Sequence, residues 1–340
     1  MSTPTRVSIS VIIPVHNGGE SFRQCLSSLK KSKIPSLEVI VVSDADTDGS
    51  WLIAKEFGAK VIRIPVNGGP AKARNLGASV AVGDILYFID ADVVISPDAI
   101  AQVKQAFETD SELAALIGSY DDQPGASNFL SQYKNLFHHY THQVANEEAF
   151  TFWGACGAIR REIFLSLGGF DESYRKPSIE DIELGYRIRH AGYRIKLFKD
   201  LHVKHLKYWS VFSLLKAEIF YRALPWTDLI LRQRELDNDL NLGLSSRFSI
   251  ILVYGILTAL ILSFWWSGFL AMAAVFSLVM LWLNFSVYRF FYVKRGLGFA
   301  LRVIPWHWFY YFYGGLAFAV ATGNYVWHEW FLSKLNVSTG

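Results

Sequence analysis

Four acidic side chains stand where they could do chemistry. Asp90 and Asp92 flank one small residue directly after the apolar run Ile85–Ile89, a spacing that lets carboxylates hold a hard divalent cation while leaving coordination sites for phosphate oxygens. It equally suits a turn in which the Asp side chains cap the backbone. Glu180 and Asp181 precede a stretch with Leu184 and Ile188 on one helical face, which puts the pair at a helix N-terminus, suited to acid–base work or to capping. Lys72 and Arg74 follow a helix start opened by Gly69 and Pro70, where amide dipoles favour an anion such as a diphosphate, unless the pair belongs to a solvated face. His138, His139 and His142 share a helix-like stretch. Their i, i+4 pair has metal spacing, but no carboxylate is in register with it.

The elements that must position these groups alternate between short β-branched runs and amphipathic stretches. Ser10–Pro14, Glu38–Val42, Val61–Ile64 and Ile85–Ile89 read as strands, and Phe22–Lys31, Asp48–Phe57 and the segment opened by Gly69 as helices, with Asp48 available as a cap. Such a βαβ series predicts a mostly parallel sheet with helices on both faces. Ligands then collect beyond the carboxyl ends of the strands. Those ends carry Pro14-Val15-His16-Asn17-Gly18-Gly19, Ser43-Asp44-Ala45-Asp46-Thr47-Asp48 and Asp90-Ala91-Asp92.

Composition adds a second region. The 340 residues are 51% hydrophobic and only 19% charged, with a mean hydropathy of +0.22, which excludes disorder and points towards lipid. Net charge is +3 with no basic block, so nothing argues for nucleic acid. Cys25 and Cys156 make neither a disulfide framework nor a paired-cysteine zinc site. Phe248 to Tyr288 holds no Asp, Glu, Lys, Arg or His; two antiparallel spans, about 248–266 and 269–288, fit it, and a third apolar stretch at about 306–323 is either a crossing or an interfacial segment. Arg247 precedes the first span, and Arg289, Lys294, Arg295 and Arg302 follow the second, the positive-inside pattern for a hairpin that begins and ends in the cytosol. Met1–Arg6 is polar with no signal core behind it, so the front domain is expected in the cytoplasm and the protein in the cell membrane as a multi-pass chain. Residues 1–206 form the expected catalytic domain, 207–246 an amphipathic interfacial segment, and 247–340 the membrane region. In the interfacial segment Val211, Leu214, Leu215 and Ile219 recur at helical spacing, Trp209 and Trp226 are candidate anchors, Pro225 should end or kink the first helix, and Arg222, Arg232 and Arg234 fall at headgroup level.

In the order of its motifs the chain resembles the family-2 glycosyltransferases. SVIIPVHNGGE, VIVVSDADTDGS, NGGPAKARNLGASVAVGD, ILYFIDADV, GACGAIRREIFLSLGGFDE and SIEDIELGYRIRHAGYRI follow one another over residues 8 to 206 as that family's segments do. One departure is Ser43, where the family commonly has an acid. The resemblance implies the nucleotide-sugar-binding GT-A fold, an α/β Rossmann-like sheet. It makes Pro14, Val15, Asp44, Lys72, Arg74 and Asp90 donor-binding residues, with Asp44 accepting from a base N–H. Asp92, Asp90 and His205 become ligands of Mg2+ or Mn2+, and Asp181 the base that takes the acceptor's proton. Trp153, Gly154 and Glu180 would line the acceptor side. Apart from the resemblance, Arg222 at headgroup level could hold acceptor or donor phosphate or meet anionic lipid, and Gly118–Gly125 is a turn-rich loop whose adjacent acids could face the acceptor.

The implied function is inverting transfer from a nucleoside-diphosphate sugar, UDP-sugar favoured over GDP-sugar, to a lipid or lipid-linked acceptor. The alternatives are a processive polysaccharide synthase, for which a QxxRW motif and further spans are missing, and a non-catalytic sugar-nucleotide-binding scaffold. Homo-oligomer formation is left open.

Overall fold

A computed structural model describes residues 6–233 and 243–337, with side chains placed to residue 328. The chain divides into two compact units, Met1–Trp209 and Ser210–Gly340.

The first unit opens as the sequence pattern predicts. Strand β1 (Ile9–Val15), helix α1 (Gly19–Lys30), β2 (Glu38–Asp44), α2 (Ser50–Phe57), β3 (Lys60–Ile64), α3 (Gly69–Val80) and β4 (Ile85–Ile89) follow in turn, and β3-β2-β1-β4 pair in parallel. All five residues of β4 are buried, which is why it reads as an uninterrupted apolar run. Gly77 lets α3 lie close on the sheet, because a Cβ there would meet Ile12 Cγ2 at 2.5 Å.

Beyond β4 the topology departs from a mostly parallel sheet. The chain continues through β5 (Val93–Ile95), α4 (Ala99–Thr109), β6 (Leu113–Tyr120), α5 (Phe129–Val144), β7 (Glu148–Ala149), β8 (Cys156–Arg160), α6 (Arg161–Ser166), α7 (Glu180–His190) and β9 (Arg194–His205). The sheet runs β3-β2-β1-β4-β8-β6-β9-β5, with β7 on β9. Strand β8 lies antiparallel to both β4 and β6, and β9 antiparallel to β5 and β7. The sheet is therefore mixed. No helical crossover need separate antiparallel neighbours, so the βαβ rhythm of the first eighty-odd residues does not extend to these strands. Two registers set up the site: Ile89 opposite Cys156 carries the Trp153–Gly154 turn alongside Asp90, and Val93 opposite His205 carries that histidine alongside Asp92. Trp209, expected as an interfacial anchor, is instead buried at the end of this unit, its backbone N–H donating to Ser131 Oγ at 2.7 Å and its backbone carbonyl accepting from Asn128 Nδ2 at 2.8 Å.

The second unit is helical. Helix α8 (Val211–Lys216), closed at its start by the Ser210/Ser213 capping box, runs through a π-helical segment Ala217–Ala223 into α9 (Leu224–Gln233). Pro225, expected to end or kink the first helix, is the second residue of α9 and follows directly on the π-helical segment, so the helical run changes its hydrogen-bond pattern just before the proline rather than stopping there. Arg222 pairs with Glu218 at 3.2 Å and Arg232 with Asp228 at 2.8 Å; Arg234 lies outside the described residues. Helices α10 (Leu244–Leu262), α11 (Gly268–Leu283), α12 (Phe285–Arg295) and α13 (Leu297–Val337) complete the unit. Among the described residues α10 is the one helix long and apolar enough by itself to cross a membrane, and α11 with α12 qualifies as a second span only as a pair bent by 62°. The expected span 269–288 is thus broken at Asn284, whose Nδ2 donates to Ser249 Oγ and to the Met280 carbonyl, both at 2.9 Å, while Tyr311 donates to its Oδ1 at 2.8 Å. The stretch 306–323 lies inside the 41-residue α13.

Candidate active site

The parallel strands deliver three turns to one edge of the sheet, and hydrogen bonds lock them together. Asp44, the buried last residue of β2, accepts the Gly68 and Gly69 amides on its two oxygens, each at 2.8 Å. Each oxygen keeps a further lone pair with which a ligand N–H could be met. Gly69 holds a left-handed φ of +85°, and a Cβ there would stand 2.5 Å from the Arg175 carbonyl oxygen. Gly69→Ala is therefore expected to cost about 1–3 kcal/mol of stability through strain and close approach, read as a lowered thermal midpoint; an unchanged midpoint would contradict the packing. Asp48 joins the first two turns by accepting from Gly19 N at 2.9 Å and Ser50 N at 3.0 Å. Pro14 and Val15 close β1, half-buried and buried, and Lys72 is exposed on α3.

Arg74 does more than the sequence suggests. Its guanidinium is buried, with Nη2 2.7 Å from Asp90 Oδ1 and Nη1 2.8 Å from Glu180 Oε1, and it lies 5.3 Å over the Phe170 ring. Burial would push its pKa down; Asp90, Glu180 and Asp181 outweigh that and raise it, so the group stays charged. Gly154 packs against it so closely that a Cβ would come within 2.9 Å of Cζ. Two carboxylates and an amide turn from separate elements thus converge on one cation. Glu180, expected on the acceptor side or as a helix cap, is instead engaged in this bridge and accepts the Ser178 amide at 2.9 Å. Asp181 accepts the Gly154 amide at 3.0 Å on Oδ2 and the Ile182 amide at 2.9 Å on Oδ1.

Asp92 and His205 form the neighbouring pair. Asp92 Oδ2 stands 3.5 Å from His205 Nε2, and His205 Nδ1 faces Asn135 Oδ1 at 2.7 Å. Although burial raises the Asp92 pKa, the imidazole beside it lowers it further, so the carboxyl lies below its ordinary value. With Asn135 Oδ1 accepting from Nδ1, the ring is fixed with Nε2 facing the Asp92 carboxylate, so that the two side chains present one nitrogen and one oxygen that a cation could share. The donor set fits a partial sphere, one oxygen and one nitrogen, to be completed by phosphate and water. Asp90 is occupied by Arg74, and among the described residues no three His, Cys, Asp or Glu side chains form a ready-made metal cluster.

Helix α5 supplies the support that the sequence left unexplained. Ser131, Asn135, His139 and His142 are buried on it. His139 and His142 turn Nδ1 towards the Tyr120 and Gly118 carbonyls at 2.7 and 3.1 Å, and burial lowers the His142 pKa to about 4. His138 packs 4.6 Å from the Tyr120 ring and 4.9 Å from Trp153, while Tyr120 stacks on His205 at 4.6 Å. The histidine trio therefore braces Trp153 and His205. Asn135 and Tyr120 were not singled out from sequence, although the i, i+3/i+4, i+7 spacing of Asn135, His138, His139 and His142 was a signal that they face one neighbour. In the acidic loop Asp121 pairs with Lys204 at 2.9 Å.

The two cysteines lie beneath the same edge, Cys25 Sγ 3.6 Å from the Asp90 carbonyl and Cys156 Sγ 3.3 Å from the Tyr87 hydroxyl. Burial raises both thiol pKa values, that of Cys156 to about 12.

Comparison with known proteins now places the domain. Residues 10–168 match the family described as Glycosyl transferase family 2. The probable glycosyltransferase YdaM of Bacillus subtilis (strain 168) is 32% identical over 206 residues, 56% of this chain and 48% of YdaM, so the chain spans about half the length of that relative. In solved structures, the mannosyltransferase PcManGT from Pyrobaculum calidifontis in complex with GDP-Man and Mn2+ is 18% identical with a TM-score of 0.52, over 96% of this chain and 89% of that one. S. aureus TarS 1-349 in complex with UDP-GlcNAc is 20% identical with a TM-score of 0.51, over 66% of each chain. At these identities the structural likeness is one of fold.

Proposed function

The chain carries a family-2 glycosyltransferase domain, and from that premise we infer that it moves a sugar, with inversion, from a nucleoside-diphosphate sugar to a lipid or lipid-linked acceptor, such as a polyprenyl phosphate or glycolipid, at the cytoplasmic face of a membrane. The observation that carries this reading is the convergence of Asp90, Arg74, Glu180 and the Asp181-bound Gly154 turn at the carboxyl ends of the strands, with Asp92 and His205 beside them. Solved neighbours that hold UDP-GlcNAc or GDP-Man with Mn2+ support the donor class and the ion.

In this mechanism Asp44 and the glycine turn it fixes receive the base, and exposed Lys72 reaches the diphosphate. Mg2+ or Mn2+, held by Asp92 and His205, would neutralise the leaving diphosphate. Trp153 and Gly154 shape the acceptor side. The acceptor oxygen forms a bond to the anomeric carbon, its proton passes to the Asp181 carboxylate, and the bond to the diphosphate oxygen breaks on the opposite face with its electron pair. Arg222 serves the acceptor headgroup, and α10 with the bent pair α11–α12 anchors the chain. Mass spectrometry of lipids from cells making the wild type or Asp181→Asn tests this: a glycolipid confined to the wild type is expected, and a soluble glycan product in its place overturns the acceptor class.

Asp92→Ala should weaken donor binding in Mn2+ about tenfold and leave binding without metal unchanged, because it removes a half-buried ligand at the end of a strand rather than a core group. Calorimetry with and without Mn2+ reads both; an unaltered metal dependence contradicts the assignment.

A further inference from the structure

The helical unit holds a half-open cavity of about 370 Å³ whose wall draws on α9, α10 and α13, including Trp226, Ile230, Ile250, Tyr310 and Phe318, with Arg247 among the lining residues. Its volume falls in the range of small-molecule sites, roughly 300–1,000 Å³, and equals about a dozen methylene-sized groups if each takes the ~30 Å³ of a water. The wall is apolar and aromatic, and its lining includes no acid. Arg247 stands in the first turn of α10, the helix long and apolar enough to cross a membrane, so its guanidinium belongs at the depth of lipid headgroups. Apolar volume for one chain beside one cation suits a single-chain lipid with an anionic head such as a phosphate.

We propose that this cavity receives the first dozen or so carbons of the acceptor lipid's chain, with Arg247 holding its phosphate. The inference rests on the lipid-acceptor reading above and gives it a binding site. It also explains why a glycine lines the cavity. Gly314 sits within α13, and a Cβ there meets nothing within 4 Å, so a larger side chain would enter open space without disturbing the helix. Leucine is in addition a better helix former than glycine.

The test is calorimetry on the full chain in neutral-detergent micelles with dodecyl phosphate, hexyl phosphate and dodecanol. The wild type should bind dodecyl phosphate at least about tenfold more tightly than either of the others: hexyl phosphate leaves half of the apolar volume unfilled, and dodecanol offers Arg247 no phosphate charge. Gly314→Leu should cut the dodecyl-over-hexyl preference at least about fivefold and spare the phosphate-over-alcohol preference; Arg247→Gln should do the reverse. Equal binding of all three probes by the wild type, or a chain-length preference that survives Gly314→Leu, overturns the proposal. These ratios are read without donor, so their failure leaves glycosyl transfer standing. Transfer solely to soluble saccharides with the ratios intact would instead remove the lipid-acceptor reading.

Discussion

Asp181→Asn is expected to lower turnover by a factor of about 10² or more, the worth of a positioned general base, while donor affinity stays within about twofold. The geometry makes this substitution mild for the fold. Each Asp181 oxygen accepts one backbone amide, from Gly154 and Ile182, and asparagine keeps one acceptor oxygen for the Gly154 turn. What it lacks is a site for the acceptor's proton. Steady-state kinetics beside donor calorimetry separate the two effects, and lost donor binding with normal turnover of what is bound would remove Asp181 from the role. The size of the drop also reports on the acceptor, because a phosphate oxygen is already ionised and needs little help from a base.

Arg74→Leu should destabilise the first unit by about 3–5 kcal/mol, the cost of leaving a buried charge without its partner. Glu180 has a side chain only 4% exposed and meets Arg74 at 2.8 Å, so removing the guanidinium strands a carboxylate away from water. Denaturant unfolding of the detergent-solubilised chain measures this. Arg74→Leu with Glu180→Leu should recover most of the stability and none of the activity, since Asp90 and the Gly154 turn would still lack the cation that draws them together. A single variant as stable as the wild type would show that the bridge is dispensable to the fold.

The sequence exposed one half of the site better than the other. The turns after β1, β2 and β4 are legible because a βαβ series puts its carboxyl ends on one edge, and Asp44, Asp90 and Asp92 could be picked out from order alone. The Arg74 bridge could not, because its partners are 16 and 106 residues away, Asp90 in the turn after β4 and Glu180 at the start of α7, and only the folded chain brings them together. The antiparallel pairing of β8 with β4 and β6 gave no sign in the sequence either, so the mixed character of the sheet was hidden. The apolar tract was visible by composition, yet its break at Asn284 was not, since one amide among leucines and phenylalanines gives no sign of the serine and tyrosine that hold it.

The placement of the two native thiols makes the molecule convenient to label. With its pKa raised to about 12, Cys156 is thiolate in roughly one molecule in 10⁵ at pH 7, and Cys25, also fully buried, is raised further. Alkylating dyes react with thiolate and need access to it, so both should stay unmodified in the folded chain. A single cysteine in place of Phe212, which is 77% exposed, would then carry a fluorophore alone, without prior removal of the native pair, and its emission on adding vesicles would report directly on whether α8 meets lipid.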